Sequence, residues 1–396
     1  MSPDAYTRSV LARWLREGRS FAIALLVDVD GSAPLDPGAM MLIGADLSLE
    51  GSLTGGCVEG ALVAEAQQVI EEGPDHLSTF GFSDELAGRV GLMCGGNVTV
   101  FITRPSQRAA QTLIPAIEAI ASGRRVALAV QIDGDQSGTW MALIDGEVRG
   151  GFGDHDRLSE SVAHDLPAMA ELGSAQIRRY GTDGTVLGVG TSVFIKSFLE
   201  PPRMIVFGAT DFSASTASFA TELGFEVTIC DPRPPFAASS RYASATTVAS
   251  QWPDEYLKGV TLGPRDAVLV FTHDPKLDEP AIRAALATDV GYIGALGSRR
   301  TATDRGRRLR LAGVSEDDLA RVTSPAGHDV GAGTPAETAL SILAEIVARR
   351  HGRAGGPLDG SSGPIRAKHR DYEAPSSTST EIASSSATLS APNSTV

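Results

Sequence analysis

Two of the three cysteines stand beside glycine pairs, in an arrangement suited to sulfur chemistry. Cys57 follows Gly55 and Gly56, and Cys94 directly precedes Gly95. An apolar helix is predicted after Cys57, and a helix N-terminus lowers the pKa of a thiol. Such a thiolate could ligate a soft metal or act as a nucleophile, whereas the alternative is a small buried core residue. We therefore treat both cysteines as candidate catalytic residues and their glycines as candidate cofactor contacts.

A predicted strand that begins at Met204 leads into a helix and carries the strongest nucleotide-binding signal. Gly208 ends this strand, Thr210 occupies the second glycine position of the G-x-G-x-x-G pattern, and Asp231 ends the next strand. In a Rossmann unit, the glycines and the helix N-terminus bind a pyrophosphate while the acid binds the ribose. The Cβ of Thr210 crowds the pyrophosphate position, so the pattern favours the fold more than tight NAD binding. Asp231 is equally explained as a turn residue.

Further polar residues follow the later predicted strands, at the sheet edge where open α/β proteins bind ligands. Ser298 is predicted to cap a helix whose free N–H groups, with Arg299 and Arg300, suit an anion. His273 and His328 are candidate acid–base groups at the same edge, with a core or strand-end role as the alternative for His273. A solvated helix face is expected for the remaining arginines of that helix: Arg305, Arg307, Arg308 and Arg310.

Composition restricts the partners and the compartment. The chain has 396 residues and a net charge of −14, which argues against nucleic acid and against an anionic membrane surface. Three cysteines cannot make a disulfide framework in a chain of this length, so we expect a cytoplasmic protein. With three cysteines and no C-x-x-C motif, a structural zinc site is not predicted, and no residue is assigned as a metal ligand. The apolar run at residues 21–27 is too short to span a membrane.

The elements that must position these residues fall into four predicted segments of an α/β protein. Residues 1–105 form an α/β unit, and residues 106–200 are a spacer or a small β subdomain. Strands alternate with helices over residues 201–350, which is typical of a Rossmann-like parallel sheet. Residues 351–396 are rich in Ser and Thr and are expected to be disordered.

These segments together resemble the xanthine dehydrogenase accessory factors of the XdhC/CoxI type. The resemblance covers about residues 1–102 and 201–350, in the order of the family. The matching text is GSAPLDPGAMM (31–41), GSLTGGCVEGAL (51–62), CGGNVTVFI (94–102), PPRMIVFGA (201–209), VTICDPRPPFA (227–237), FTHDPKLDEP (271–280), YIGALGSRRT (292–301) and the segment 324–350.

The resemblance implies a role in the maturation of molybdenum hydroxylases. Such a factor would bind the molybdenum cofactor (molybdopterin), protect it during sulfuration and deliver it to a xanthine dehydrogenase or CO dehydrogenase-type client. A cysteine desulfurase-type sulfur donor would be a second partner, and a homodimer is compatible with the pattern. Cys57 and Cys94 would serve the metal end, and Arg299 and Arg300 the phosphate. Arg233, in a matched segment, joins the candidate cofactor contacts.

The chain departs from the family pattern at three places, which points to a divergent branch, and two alternatives to the family role stay open. Leu35 replaces an arginine, Thr210 and Asp211 replace a Gly-His pair, and His328 is an added histidine. One alternative is an NAD(P)-dependent oxidoreductase that uses Asp231. The other is a divergent stand-alone enzyme that uses the histidines of the Rossmann edge. Our leading prediction is a cofactor-insertion chaperone rather than a turnover enzyme.

Overall fold

The computed structural model describes residues 3–31, 33–56, 58–81, 96–153, 156–181, 190–234 and 240–360. These residues belong to one compact unit that contains three sheets. Cys57, Cys94 and Gly95 lie outside the described residues, as does most of the Ser/Thr-rich tail, so the predictions made for them stay predictions. Within the described ranges, no helix is both long enough and apolar enough to cross a bilayer.

The first part of the chain, which we call repeat 1, is an antiparallel sheet with two helices. Its elements are α1 (Pro3–Arg16), β1 (Phe21–Asp30), β2 (Met40–Gly44), β3 (Leu49–Gly51), α2 (Glu59–Glu71), β4 (His76–Phe80) and β5 (Asn97–Thr103). The sheet order is β3-β2-β1-β5-β4. Strand β1 is central because its first seven residues are apolar and buried, as expected for a strand covered on both faces.

The next part, repeat 2, has the same elements in the same order. They are α3 (Gln107–Ala121), β6 (Val126–Gln131), β7 (Trp140–Ile144), β8 (Glu147–Gly150), α4 (Asp156–Leu172), β9 (Ala175–Tyr180) and β10 (Thr191–Phe198). The sheet order β8-β7-β6-β10-β9 reproduces that of repeat 1 strand by strand. The segment predicted as a spacer or small β subdomain is therefore a second copy of one topology.

Matching contacts support this equivalence at the level of single residues. Gly51 and Gly150 both end the third strand at positive φ (83° and 78°). A Cβ on Gly51 would lie 2.4 Å from a backbone oxygen of β2 and 3.0 Å from Thr7 of α1. A Cβ on Gly150 would lie 2.3 Å from a backbone oxygen of β7 and 2.5 Å from Thr112 of α3. The same close approach of helix, hairpin and glycine is thus built twice.

The two repeats share a hydrophobic core. One buried cluster contains side chains from α1, β1 and β5 of repeat 1 together with α3, β6 and β10 of repeat 2. Trp14 and Phe101 from the first copy and Leu128 and Phe194 from the second are members of this cluster. Helices α2 and α4 cover the other faces of their own sheets. Because this cluster holds residues from both sides of residue 105, the core does not mark a domain boundary there, and the predicted boundary stays a prediction.

The C-terminal part is the parallel sheet that the sequence predicts. Its elements are β11 (Arg203–Phe207), α5 (Asp211–Glu222), β12 (Glu226–Cys230), a 3-10 turn (Ser240–Tyr242), β13 (Thr247–Ala249), α6 (Pro253–Lys258), β14 (Ala267–Val270), α7 (Pro275–Leu286), β15 (Tyr292–Ala295), α8 (Arg299–Leu311), α9 (Glu316–Ala320), β16 (Val322–Thr323), α10 (Pro335–Arg350) and a 3-10 turn (Leu358–Gly360). The order β13-β12-β11-β14-β15-β16 reverses at β11 and β14. The Rossmann-like α/β fold is therefore confirmed, with ligand binding expected at that reversal.

Candidate functional site

The loop between β3 and α2, which we call the Glu59 loop (residues 52–58), is organised around one carboxylate. Oε1 of Glu59 accepts hydrogen bonds from the Ser52 hydroxyl (2.9 Å) and the Thr54 N–H (2.9 Å). Oε2 accepts from the Thr54 hydroxyl (2.7 Å) and the Gly56 N–H (2.9 Å). Weaker bonds of 3.2 Å come from the N–H groups of Leu53 and Val58. Six donors thus converge on Glu59, which makes the conformation of this loop depend on its charge.

These donors also set the protonation of Glu59. Partial burial alone would raise the pKa of this carboxyl, but the hydrogen bonds from Thr54 and Ser52 lower it to about 2. A carboxylate that accepts several N–H and O–H bonds is favoured in its charged form. Glu59 is therefore ionised at every physiological pH.

The Glu59 loop presents its glycines to solvent. Gly55 and Gly56 are exposed at positive φ (76° and 116°), and a Cβ on either would meet no atom within 4 Å. Their backbone therefore leaves open space directly before Cys57 and the first turn of α2. Because Glu59 and Ser52 already accept the N–H groups of both glycines, this open face offers contact surface rather than free donors.

In the Rossmann part, the turn after β11 is closed by its own acid. Asp231 is fully buried, and its Oδ2 accepts the N–H of Ala209 at 2.8 Å. The Arg233 side chain donates to both oxygens of Asp231, at 2.8 and 2.7 Å. Burial opposes the ionisation of Asp231, but the hydrogen bonds from Arg233 and Ala209 outweigh it and lower its pKa. The carboxylate of Asp231 is thus bonded to Arg233 and to the backbone of the turn. A dinucleotide would need the same carboxylate for its ribose and the same backbone N–H for its pyrophosphate.

The backbone N–H groups at the start of α5 are also bonded within the chain. Thr210 caps the helix by accepting the N–H of Ser213, and the Ser213 hydroxyl accepts the N–H of Thr210, which completes a capping box. Gly208 has φ 106°, and a Cβ there would lie 2.8 Å from Thr272 of the neighbouring strand end. The glycine is explained by close packing of two strands, so this geometry does not support the NAD(P) alternative.

The predicted anion site at the N-terminus of α8 is exposed. Ser298 caps the helix by accepting the N–H of Thr301 at 3.1 Å, as the sequence predicts. The side chain of Arg299 is 89% exposed and lies 3.5 Å from the equally exposed Asp329. Arg300 follows on the same exposed turn. Exposed ion pairs contribute little stability, so these arginines are available to an incoming anion at small cost.

One of the arginines expected on a solvated face is buried, which corrects that prediction. Arg305 is 1% exposed and forms an ion pair with the buried Asp278 at 2.9 Å. It also donates to the Leu296 carbonyl oxygen and to the Ser324 hydroxyl, both at 2.8 Å. Asp278 in turn accepts the hydroxyl of Thr272. Arg308 is half-buried against a glutamate of α7, so only part of this helix face is solvated.

The two candidate histidines lie in different surroundings. His273 is exposed three residues after the end of β14 and precedes Asp274, which caps α7. His328 is held through its backbone, since its carbonyl oxygen accepts the Ser341 hydroxyl at 2.6 Å. Its ring packs against Gly355, where a Cβ would lie 2.4 Å from Nε2. The structure therefore buries Nε2 of His328 against the segment after α10.

Two functional features escaped the sequence reasoning. Glu59 received no role, although a carboxylate three residues after a Gly-Gly pair and preceded by Ser and Thr is a local capping signal. Asp278 and Arg305 lie on two helices, and no local pattern could pair them. Among the described residues, no group of His, Cys, Asp or Glu side chains is arranged to hold a metal ion.

Comparison with known proteins finds family matches in both the first repeat and the Rossmann part. The model of the XdhC and CoxI family matches residues 14–81, and that of the XdhC Rossmann domain matches residues 204–346. A probable xanthine dehydrogenase subunit of Bacillus subtilis is 27% identical over 86% of this chain and 97% of its own length. The molybdenum cofactor insertion chaperone PaoD of Escherichia coli is 26% identical over 85% of each chain.

A solved structure shows the same fold. The crystal structure of a xanthine dehydrogenase from Bacillus halodurans superposes with a TM-score of 0.67 and 24% identity, covering 91% of this chain and 98% of that one. Two family models match in the expected order, one on the repeat that holds the Glu59 loop and one on the Rossmann part. The chain is therefore a member of the XdhC and CoxI family that carries an XdhC Rossmann domain.

Proposed function

We propose that this protein is a maturation factor that binds the molybdenum cofactor and delivers it to a molybdenum hydroxylase of the xanthine dehydrogenase or CO dehydrogenase type. The observation that carries the proposal is the Glu59 loop, which lies in the matched family domain and presents Gly55 and Gly56 beside Cys57. The name of the Escherichia coli relative, a molybdenum cofactor insertion chaperone, supports the cargo. The names of the relatives support a molybdenum enzyme as client.

Different residues would bind the two ends of the cofactor, the metal and the phosphate. Molybdenum cofactor is a phosphorylated pterin dithiolene, so a carrier needs soft or hydrogen-bonding groups near the metal and cations near the phosphate. Cys57 and Cys94 would meet the metal end across the open glycine backbone. Arg299 and Arg300 would meet the phosphate, since neither is committed to a buried partner.

The carrier would hold the cofactor while a cysteine desulfurase-type donor supplies sulfur, and would then release it to the client. Binding followed by release does not require the deep enclosure of a turnover enzyme. The exposed glycines of the Glu59 loop and the exposed arginines of α8 suit a surface that a client can approach.

The test is stoichiometric uptake of the cargo. Purified protein is mixed with released molybdenum cofactor without oxygen, and molybdenum and pterin are measured after gel filtration. We expect near-stoichiometric retention and a marked loss in Cys57→Ser. Cys230→Ala is the matched control because that thiol is buried in the Rossmann core. Absence of retention by the folded wild-type protein would overturn the proposal, and equal retention by Cys57→Ser would remove the role of Cys57.

A further inference from the structure

The two repeats contact each other reciprocally, through a loop glycine of one and a strand residue of the other. A Cβ on Gly38 of repeat 1 would lie 2.7 Å from Cδ of Lys196 in repeat 2. A Cβ on Gly138 of repeat 2 would lie 2.7 Å from Oγ1 of Thr103 in repeat 1. Lys196 and Thr103 occupy the same position, since each follows a Val-Phe-Ile run in the strand beside the first strand of its repeat. One contact has therefore been built twice with different side chains.

The two copies of this contact differ in chemistry. Thr103 donates to Asp75 of its own repeat at 2.8 Å. Lys196 instead extends its stem over Gly38 and donates to the carbonyl oxygen of Pro37, in the other repeat, at 3.3 Å. Burial lowers the pKa of Lys196, and the charges of Asp36 and Asp4 oppose that lowering while Arg8 adds to it. Placing an ammonium group where water reaches it poorly costs free energy. A lysine at this position therefore calls for an explanation other than packing.

That reason lies in what the loop of Pro37 touches. Residues 33–39, the Pro37 loop, place Ala33, Leu35 and Ala39 in the apolar cluster that also contains Leu53 and Val58. Leu53 and Val58 are the buried residues near the two ends of the Glu59 loop. Lys196 thus fastens the Pro37 loop, whose apolar side chains share one buried cluster with the base of the Glu59 loop.

We propose that Lys196 is a positioning residue by which repeat 2 fixes the Pro37 loop of repeat 1, and through it the Glu59 loop, for cofactor binding. The inference rests on the proposed function for the identity of the cargo. It makes repeat 2 a working part of the site, whereas the equivalent residue of repeat 1, Thr103, bonds Asp75 of its own repeat. The effect of Lys196 acts through the loops and not through contact with the cargo.

The test compares Lys196→Met, which keeps the stem and removes the ammonium, with Lys196→Arg, which keeps a charged donor. Lys258→Met is the control because that lysine is exposed on α6. Hydrogen exchange is followed at the N–H groups of Gly38 and Ala39, which bond the carbonyl oxygens of Leu26 and Asp36. We expect about tenfold faster exchange there in Lys196→Met, and little change in the Rossmann part.

Retention of molybdenum after gel filtration is measured on the same samples. We expect a several-fold loss in Lys196→Met, recovery in Lys196→Arg, and no loss in the control. Unchanged exchange in Lys196→Met would overturn the inference, and so would faster exchange with full retention or an equal loss in the methionine and arginine variants. If the wild-type protein retains nothing, the proposed function fails, but the exchange data still decide whether Lys196 fixes the Pro37 loop.

Discussion

The charge of Glu59 should hold the Glu59 loop in place, and Glu59→Gln tests this with almost no change in volume. Each carboxylate oxygen accepts three bonds, two of them from N–H groups of the backbone. Glutamine offers one acceptor oxygen, so its NH2 group must face three donors. Whichever way the amide turns, two backbone N–H groups lose the side chain of residue 59 as acceptor, although Val58 keeps its bond to Oγ1 of Thr54. The remaining bonds lose their charge assistance.

The size of the effect follows from the pKa of Glu59. Its lowering from about 4.5 to about 2 corresponds to about 3 kcal/mol of preference for the charged form in the folded loop. Glu59 is partly exposed, so solvent screening reduces this figure, and we expect about 2 kcal/mol in the variant. A local opening that is easier by about 2 kcal/mol accelerates hydrogen exchange by about 30-fold.

The assay is hydrogen exchange at pH 7, read at the N–H groups of Thr54 and Gly56, which bond Oε1 and Oε2 of Glu59. Glu71→Gln is the control because that side chain is exposed at the end of the same helix. The stabilisation by Glu59 is fully present above about pH 4.5 and is lost as the pH falls through about 2. The wild-type loop should therefore loosen only in strong acid, whereas the Glu59→Gln loop is loose at every pH. An acceleration of less than about threefold would refute this reasoning.

Three further predictions concern the remainder of the described chain. Gly150→Ala should destabilise the protein by about 2 kcal/mol more than Gly146→Ala. Both glycines have positive φ, but only at Gly150 would the new Cβ lie 2.3 Å from a backbone oxygen, whereas at Gly146 it meets no atom within 4 Å. Urea unfolding measures the difference, and equal midpoints would contradict it. Arg305→Met should cost about 3–5 kcal/mol by leaving Asp278 buried without its partner, and an unchanged melting temperature would contradict that. Titration calorimetry with NADH should give no binding heat, because Asp231 occupies the turn; a micromolar affinity would show that it is displaced.

The sequence was sufficient for elements whose signal is local. Strand β1 follows from a continuous apolar run, and α10 from the Thr334-Pro335 start with its capping box. The order of strands and helices after residue 203 predicts the parallel sheet because such crossovers leave few alternatives. Ser298 caps α8 as predicted because capping also depends on neighbouring residues alone.

What the sequence did not disclose depends on contacts between distant residues. The helical spacing of Arg305 and Leu309 places both on the buried side of α8, but an arginine signals burial only when its partner is known, and Asp278 lies on another helix. The sequence hides the repeat for a related reason. Its two copies share glycine positions and backbone turns, while the side chains at equivalent positions, such as Thr103 and Lys196, differ in size and charge. The topology survives such an exchange because each side chain has its own partner, Asp75 for Thr103 and the carbonyl oxygen of Pro37 for Lys196.

The glycine turns before α2 and before α5 share one feature, and it is the opposite of what their sequences predict. Glycines before a helix N-terminus predict an open cradle for an anion. In the turn before α2, however, Glu59 already accepts the N–H of Gly56, and in the turn before α5 Asp231 accepts the N–H of Ala209. The pKa of each carboxyl is lowered by the bonds it accepts, so neither gives up its place by protonation near neutral pH. A phosphate that bound at either turn would have to displace the carboxylate, and the negative charge of that carboxylate would then repel it. Both turns therefore supply a fixed geometry, and under the proposed function an anionic part of the cargo would meet the exposed Arg299 and Arg300 instead.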